Sequence, residues 1–192
     1  MQDDPAGAGA GDDDQAQLDR ARRHHRAAHE ALLVDLGARG RPATCPAGPG
    51  CCGCCRGNVV VHPLEAARLG PLLAPAQWAA VGALAARAAD AERAGGDPEE
   101  AAATARCPLL DATTGACTVY AERPLVCRGY VVVTPPRDCH PELVGPREVA
   151  TPSLAVGLIG MALSGLPGGG GALQLLPGAL LAWRAGQEDH GR

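Results

Sequence analysis

The sequence predicts an α+β fold in which short strands and a hairpin form a small, cysteine-rich, metal-centred domain flanked by helices. Three observations lead to this prediction. Of the nine cysteines in the 192-residue chain, five lie between positions 45 and 55. Helical apolar periodicity is found on both sides of the cysteine-rich region, whereas the β-branched runs within it are short. Only 2% of the residues are aromatic and phenylalanine is absent, so apolar burial alone would stabilise this fold weakly.

The first 40 residues predict a tail followed by one helix. Residues 1–14 consist mostly of Asp, Gly and Ala without periodicity, which predicts a disordered tail. From Gln15 to Leu36 the sequence predicts a helix with one mostly apolar stripe, formed by Leu18, Ala21, His25, Ala28, Leu32 and Leu36. Two glycines after this stripe predict that the helix ends within the region 15–40.

The cysteine-rich metal domain is predicted for residues 41–145. A Gly- and Pro-rich loop leads into a strand over residues 58–62. Helical segments then run to Ala94, with breaks before Pro71 and near Pro75. The remaining predicted elements are a short helix after the N-cap Asp97 that ends near Arg106, a hairpin of residues 107–111 and 117–120, a turn or a single helical turn over 121–127, and a strand over 129–134.

The C-terminal region, residues 146–192, predicts two helices. Apolar runs over residues 149–166 and 172–185 have helical length and spacing. The glycine-rich run 167–171 joins them as a linker, because no Lys-Ser/Thr pair follows it as a phosphate-binding loop would need.

The cysteine spacing predicts a metal site. Two residues separate Cys51 from Cys54, a spacing that lets two thiolates bind one ion, and Gly53 permits the tight turn between them. Later cysteines can converge on the same centre through the predicted hairpin. Thiolates are the soft ligands that zinc and iron–sulfur clusters require. The predicted metal ligands are Cys45, Cys51, Cys54, Cys55, Cys107, Cys117, Cys127 and Cys139.

The spacing leaves zinc and an iron–sulfur cluster open as the cofactor. Cys54 and Cys55 are neighbours, and neighbouring side chains of an extended backbone point apart. They therefore suit two metals, or two irons of one cluster, better than one tetrahedral ion. For Cys52 and Cys139 the alternative is a small buried thiol without a ligand role.

Two segments resemble a known family. One is the motif Cys51-x2-Cys54-Cys55 with the Val- and Glu-containing stretch 58–69 that follows it. The other is residues 106–130, with a Cys-Pro pair, Cys-x-Val-Tyr, Arg-Pro and Cys-Arg. Over roughly residues 45–140 the chain is similar to the bacterial CxxCxxCC, or YkgJ-type, cysteine cluster family. The resemblance implies a domain that chelates zinc or iron; it implies no reaction. Five residues separate Cys45 from Cys51, where the family usually has two.

Arg128 is the predicted cofactor-binding residue outside the cysteines. It is adjacent to Cys127, and a thiolate-bound metal centre carries negative charge that a guanidinium neutralises. Tyr120 is predicted to pack over the site. His25 and His29 have the i, i+4 spacing of a metal pair, but a partly solvated helix face is the favoured interpretation because no HExxH motif is present.

Composition excludes several function classes. The net charge of −4 offers no basic surface for nucleic acid. No signal-peptide pattern is present, and the longest apolar stretch is shorter than the ~20 residues of a membrane span. We therefore expect a cytoplasmic protein without a membrane partner, whose clustered thiols bind metal in that reducing compartment.

The predicted function is binding of the metal or cluster; whether the protein has a protein partner is unknown from the sequence. Outside the cysteines there is no catalytic constellation, so no enzyme activity is assigned. Two alternatives stay open: a redox or modifying enzyme that uses an iron–sulfur centre, and a protein-interaction module that zinc holds in shape.

A series of single Cys→Ser variants tests the predicted ligand set. Serine is a poor replacement for a soft thiolate, so Cys51→Ser and Cys54→Ser should lose bound metal, as measured by metal-to-protein ratio. Cys52→Ser is the matched control and should retain near wild-type metal, because the residues of the spacer point away from the ion. Loss of metal from Cys52→Ser but not from Cys51→Ser would contradict the assignment of Cys51 and Cys54, rather than Cys52, as ligands.

Overall fold

The computed structural model describes residues 12–40, 55–129 and 173–190, which form a mostly helical α+β fold with one small antiparallel sheet. The fold class predicted from the sequence is confirmed. Residues 1–11 of the predicted tail, residues 41–54 of the predicted loop, residues 130–134 of the predicted strand, the predicted helix 149–166 and the predicted linker 167–171 lie outside the described residues. The elements are α1 (Asp12–Ala38), β1 (Val60–Val61), α2 (Pro63–Leu69), a 3-10 turn (Gly70–Leu72), α3 (Pro75–Arg93), α4 (Pro98–Ala103), a 3-10 turn (Tyr120–Glu122), α5 (Leu125–Arg128), β2 (Gln174–Leu175) and α6 (Leu176–His190).

Helix α1 begins three residues earlier than the apolar stripe predicts. Asp12, Asp13 and Asp14 form its first turn. Their negative charges lie at the positive end of the helix dipole, which stabilises a helical start. The last three residues of the predicted tail are therefore helical.

The sheet joins two distant parts of the chain. Strand β1 pairs with β2 in antiparallel register, with Val60 opposite Leu175. The Leu176 N–H donates to the Val59 carbonyl at 2.8 Å, which continues the ladder by one bond. The sequence predicts helix from residue 172, and this prediction is wrong for residues 174–175 because the backbone there pairs with β1 instead.

The predicted hairpin is reduced to a single bridge between Leu110 and Cys117. Asp111 N–H donates to the Ala116 carbonyl at 2.8 Å, and Gly115 adopts a φ of 71° that favours glycine. The Asp111 side chain accepts hydrogen bonds from the backbone of the turn, so the turn competes with further strand pairing.

The core lies between α2, α3, α6 and the segment that contains the later cysteines. Trp78 of α3 stacks on Trp183 of α6 with ring centroids 6.2 Å apart. None of the helices in the described ranges has the length and apolar character that a membrane crossing requires. The core cluster consists of Val61, Ala66, Leu69, Leu73, Val81, Cys107, Leu109, Val119, Leu176, Ala179 and Leu180.

Two glycine variants test how closely α6 packs on the centre of the fold. A Cβ added to Gly70 would overlap the ring of Trp183, whereas one added to Gly82 would meet no atom within 4 Å. We expect Gly70→Ala to lower the free energy of unfolding by about 1–3 kcal/mol through overpacking. Gly82→Ala, in the interior of α3, should raise it by about 0.5–1 kcal/mol. Urea unfolding measures the free energy of unfolding of both variants. Equal stability of the two would contradict the close packing of Gly70 against Trp183.

Candidate metal centre

Four of the predicted ligands lie in the described part of the chain: Cys55, Cys107, Cys117 and Cys127. None of these four forms a disulfide. The other predicted ligands, Cys45, Cys51, Cys54 and Cys139, lie outside the described residues, as does Cys52.

Cys55 and Cys107 are brought together by backbone pairing. The Cys107 N–H donates to the Cys55 carbonyl at 3.2 Å, and the Gly57 N–H donates to the Ala105 carbonyl at 3.0 Å. A Cβ on Gly57 would lie 2.7 Å from the Ala102 carbonyl oxygen, so the close approach of the two segments requires glycine at this position. The end of the first cysteine group therefore lies beside the first cysteine of the second group.

Cys117 follows the turn 111–116 and packs against the same core cluster as Cys55. It is bridged to Leu110, and the Thr118 N–H donates to the Leu109 carbonyl at 3.0 Å. Cys107 belongs to the core cluster, and Cys55 and Cys117 pack against it. Burial raises the pKa of the Cys117 thiol, so a bound cation would have to displace its proton.

Cys127 lies on the single turn of α5, and its position depends on Glu65. The Glu65 side chain is 1% exposed and accepts two backbone hydrogen bonds, from His62 at 3.0 Å and from Leu125 at 2.7 Å. The first bond completes the capping box that starts α2, in which the His62 ring accepts from the Leu64 N–H. The second bond, from the Leu125 N–H, fixes the first residue of α5 against α2.

Glu65 is a residue whose role the sequence analysis missed. Burial raises its pKa, and the hydrogen bonds from Leu125 and His62 act in the opposite direction. The capping-box position was readable from the Pro63-Leu64-Glu65 order. The contact with Leu125 was not, because those residues are 60 positions apart.

A network of ion pairs connects α1 and α2 to the segment between Cys117 and Cys127. Glu122 pairs with Arg22 of α1 and with Arg68 of α2, the latter at 2.6 Å. Arg68 also pairs with Asp19 at 2.5 Å. Burial alone would raise the pKa of Glu122, but the hydrogen bonds from the two arginines outweigh it and lower that pKa.

Arg128 and Arg123 form a positive region beside Cys127. The Arg128 guanidinium donates to the carbonyl of Arg123 at 2.8 Å and also to that of Ala121. The Arg123 guanidinium lies 4.1 Å from the ring centroid of Tyr120, a cation–π contact. Burial, followed by the charges of Arg22 and Arg123, lowers the pKa of Arg128. The role of Arg128 toward a metal centre remains a prediction.

His25 faces this positive region and is buried, with 5% of its surface exposed. This burial agrees with the place of His25 on the predicted apolar stripe of α1, whereas the partly solvated face expected for the His25–His29 pair is wrong for His25. The ring centroids of the two histidines are 6.1 Å apart. Burial, together with the charges of His29, Arg128 and Arg123, lowers the pKa of His25 to about 4.

A groove of about 610 Å³ opens beside Cys107, between α3 and the segment 105–112. Its walls are mostly small and apolar, with Arg87 and Asp111 among the polar groups that line it. Cys107 is thus a described cysteine that borders an open groove.

The donor chemistry of the site fits zinc or iron. Three described thiols share one apolar core, an environment that suits soft-ligand metals and not the oxygen-preferring Mg²⁺ or Ca²⁺. Among the described residues, no three metal-ligating side chains form a group close enough to bind an ion by themselves.

The family comparison agrees with this chemistry. The family model CxxCxxCC, whose description reads "Putative zinc- or iron-chelating domain", matches residues 44–141. The chain belongs to the CxxCxxCC family. No curated protein and no solved structure matches it. The matched range contains all nine cysteines and the elements from β1 to α5, so the domain is of a metal-chelating type; α1 and α6 lie outside it.

The lowered pKa of His25 predicts a loss of stability in mild acid. The folded protein keeps His25 neutral below the ordinary histidine value of 6.5, whereas the unfolded chain binds a proton there. Stability is therefore present above this pH and is lost as the pH falls toward 4, by about 3 kcal/mol at most. Urea unfolding between pH 7 and about 5 measures this effect.

The histidine contribution is isolated by comparison of variants. His25→Gln removes the titrating group, so its stability should depend less steeply on pH than that of the parent protein. His24→Gln, at an exposed position of the same helix, is the control and should keep the parent slope. An unchanged slope in His25→Gln would contradict the burial of a neutral histidine.

Proposed function

We propose that cysteines from the two groups bind one thiolate-ligated metal centre, an iron–sulfur cluster or zinc. The hydrogen bond from the Cys107 N–H to the Cys55 carbonyl carries this proposal, because it places the end of the first cysteine group against the second. Cys117 packs against the same core. The proposed ligands are Cys45, Cys51, Cys54, Cys55, Cys107, Cys117, Cys127 and Cys139, with Arg128 beside them to balance negative charge.

The proposed setting is the cytoplasm, where thiols remain reduced. Zinc would contribute folding free energy, and an iron–sulfur cluster would in addition supply one-electron transfer. The protein's own residues position the cysteine segments: pairing of segment 55–57 with segment 105–107 aligns Cys55 with Cys107, and Glu65 anchors the helix of Cys127. The proposed unit extends over residues 41–145.

Anaerobic purification followed by analysis for iron, zinc and acid-labile sulfide tests the proposal. Stoichiometric iron with sulfide and visible absorbance supports the cluster, and colourless protein with zinc supports a zinc site. Purified protein with neither metal, which also fails to take up zinc or iron when reduced, would overturn the proposal.

A redox or modifying role is a second candidate, favoured by the groove beside Cys107. A centre that only supports the fold needs no such access, whereas one that exchanges electrons with a partner does. Reversible bleaching of visible absorbance by dithionite, with return in air, supports this role. Redox-silent protein contradicts it and leaves the structural role of the metal.

Removal of the metal should destabilise the domain more than a lost apolar contact would. Structural zinc contributes about 10–16 kcal/mol in small finger peptides, and this chain has few large apolar side chains to compensate. We expect chelated protein to lose its cooperative thermal transition while part of the helical circular dichroism remains. Metal returned under reducing conditions should restore the transition. Unchanged thermal unfolding after complete removal would contradict the prediction.

A further inference from the structure

Helices α2 and α3 begin with the same arrangement. Each has proline as its first residue, and the side chain of its third residue turns back to the start of the helix. In α2, Glu65 accepts the His62 N–H at 3.0 Å. In α3, Gln77 accepts the Ala74 N–H at 2.8 Å through its amide oxygen. Each side chain uses one of its two terminal polar atoms for this cap. The second atom, an oxygen in Glu65 and the amide nitrogen in Gln77, is available for another hydrogen bond.

The second atom reaches a segment that contains a predicted metal ligand. The other oxygen of Glu65 accepts the Leu125 N–H at 2.7 Å, two residues before Cys127. The amide nitrogen of Gln77 donates to the Thr118 hydroxyl, directly after Cys117. The two cysteine segments are therefore held by two different helices through the same kind of side-chain bridge.

These bridges are buried, unlike a simple helix cap. The exposed fractions of Glu65 and Gln77 are 1% and 8%. In α4, by contrast, Asp97 caps the helix from outside, and Glu100, at the position that corresponds to Glu65, is exposed. Burial of a polar side chain is costly unless it is hydrogen-bonded, and the bonds to Leu125 and Thr118 supply partners that the helix caps alone do not.

We propose that Glu65 and Gln77 are positioning residues of the metal centre, Glu65 for Cys127 and Gln77 for Cys117. The inference rests on the proposed function, since it takes these two cysteines as ligands. Neither residue binds the metal. Each ties the backbone beside a ligand to a helix, so that the thiol remains in place when the metal dissociates and is available for rebinding. Loss of such outer partners typically weakens metal binding about 10–100-fold.

Two exchanges remove the bridges and leave the caps. Glu65→Gln keeps an oxygen for the His62 N–H, as Gln77 does in α3, but presents an N–H₂ group to the Leu125 N–H. Gln77→Glu keeps the cap on Ala74 but removes the donor to Thr118, whose hydroxyl already donates to the Leu109 carbonyl at 3.0 Å. Glu100→Gln on exposed α4 is the matched control.

The measured quantity is the half-life of metal release from the purified, metal-loaded full chain in excess EDTA. We expect Glu65→Gln to shorten this half-life about tenfold or more, Gln77→Glu to shorten it as well, and Glu100→Gln to leave it unchanged. Unchanged half-lives in both bridge variants would overturn the inference. Should Glu65→Gln fail to fold, Glu65→Asp, which is too short to span both donors, replaces it.

Pairwise variants separate positioning from general destabilisation. If Glu65 acts through Cys127, its exchange shortens the half-life in a Cys117→Ser background but has no further effect in Cys127→Ser. Gln77→Glu should show the reverse. Equal shortening in both backgrounds indicates a general structural role and overturns the inference.

The same data test the ligand role of Cys117 and Cys127 separately from the positioning role of Glu65 and Gln77. Parent-like metal content and half-life in both Cys117→Ser and Cys127→Ser would show that these cysteines are not ligands, which overturns the ligand assignment together with the positioning role. Faster metal release from the two serine variants, with unchanged half-lives in Glu65→Gln and Gln77→Glu, overturns positioning alone.

Discussion

The buried carboxylate of Glu65 is the contact on which the rest of the site depends. Its two oxygens accept backbone hydrogen bonds from the start of α2 and from the start of α5, so β1, α2 and the helix of Cys127 share one fixed point. A carboxylate in a 1% exposed position is costly without such partners. Removal of the side chain would leave two buried N–H donors unsatisfied, which is also costly. The geometry of Cys127 thus follows from the start of a helix that contains no cysteine.

The fold compensates for a thin apolar core with polar ties between segments. Arg22, Arg68 and Glu122 connect α1, α2 and the turn between Cys117 and Cys127. These groups are only partly exposed, so their attraction is screened less than that of a surface pair. Backbone pairing of Cys55 with Cys107 adds a further tie. Each of these contacts joins residues that are far apart in the sequence, and one partner of each lies close in sequence to a predicted ligand or is one.

Family membership accounts for the metal-chelating part of the chain, and the flanking helices complete it. The family match ends at residue 141, yet β2 supplies the partner of β1 and Trp183 of α6 packs against Gly70. At the other end, α1 contributes Arg22 to the ion pairs around Glu122. The strand that follows the first cysteine group is therefore stabilised by residues outside the family region, and the segment before Cys127 is held from both sides.

Local patterns in the sequence determined the elements, and tertiary structure decided how they meet. The Pro63-to-Glu65 order, the breaks at Pro71 and Pro75, and the Asp97 cap are properties of neighbouring residues, so the starts of α2, α3 and α4 were predictable. The family and its zinc or iron chemistry were likewise readable from the cysteine motifs. The pairing of Val60 with Leu175 and the reach of Glu65 to Leu125 and of Gln77 to Thr118 were not. Strand pairing and buried polar contacts depend on which segments lie opposite each other, and that choice is made by the packing of the whole chain rather than by any local run of residues.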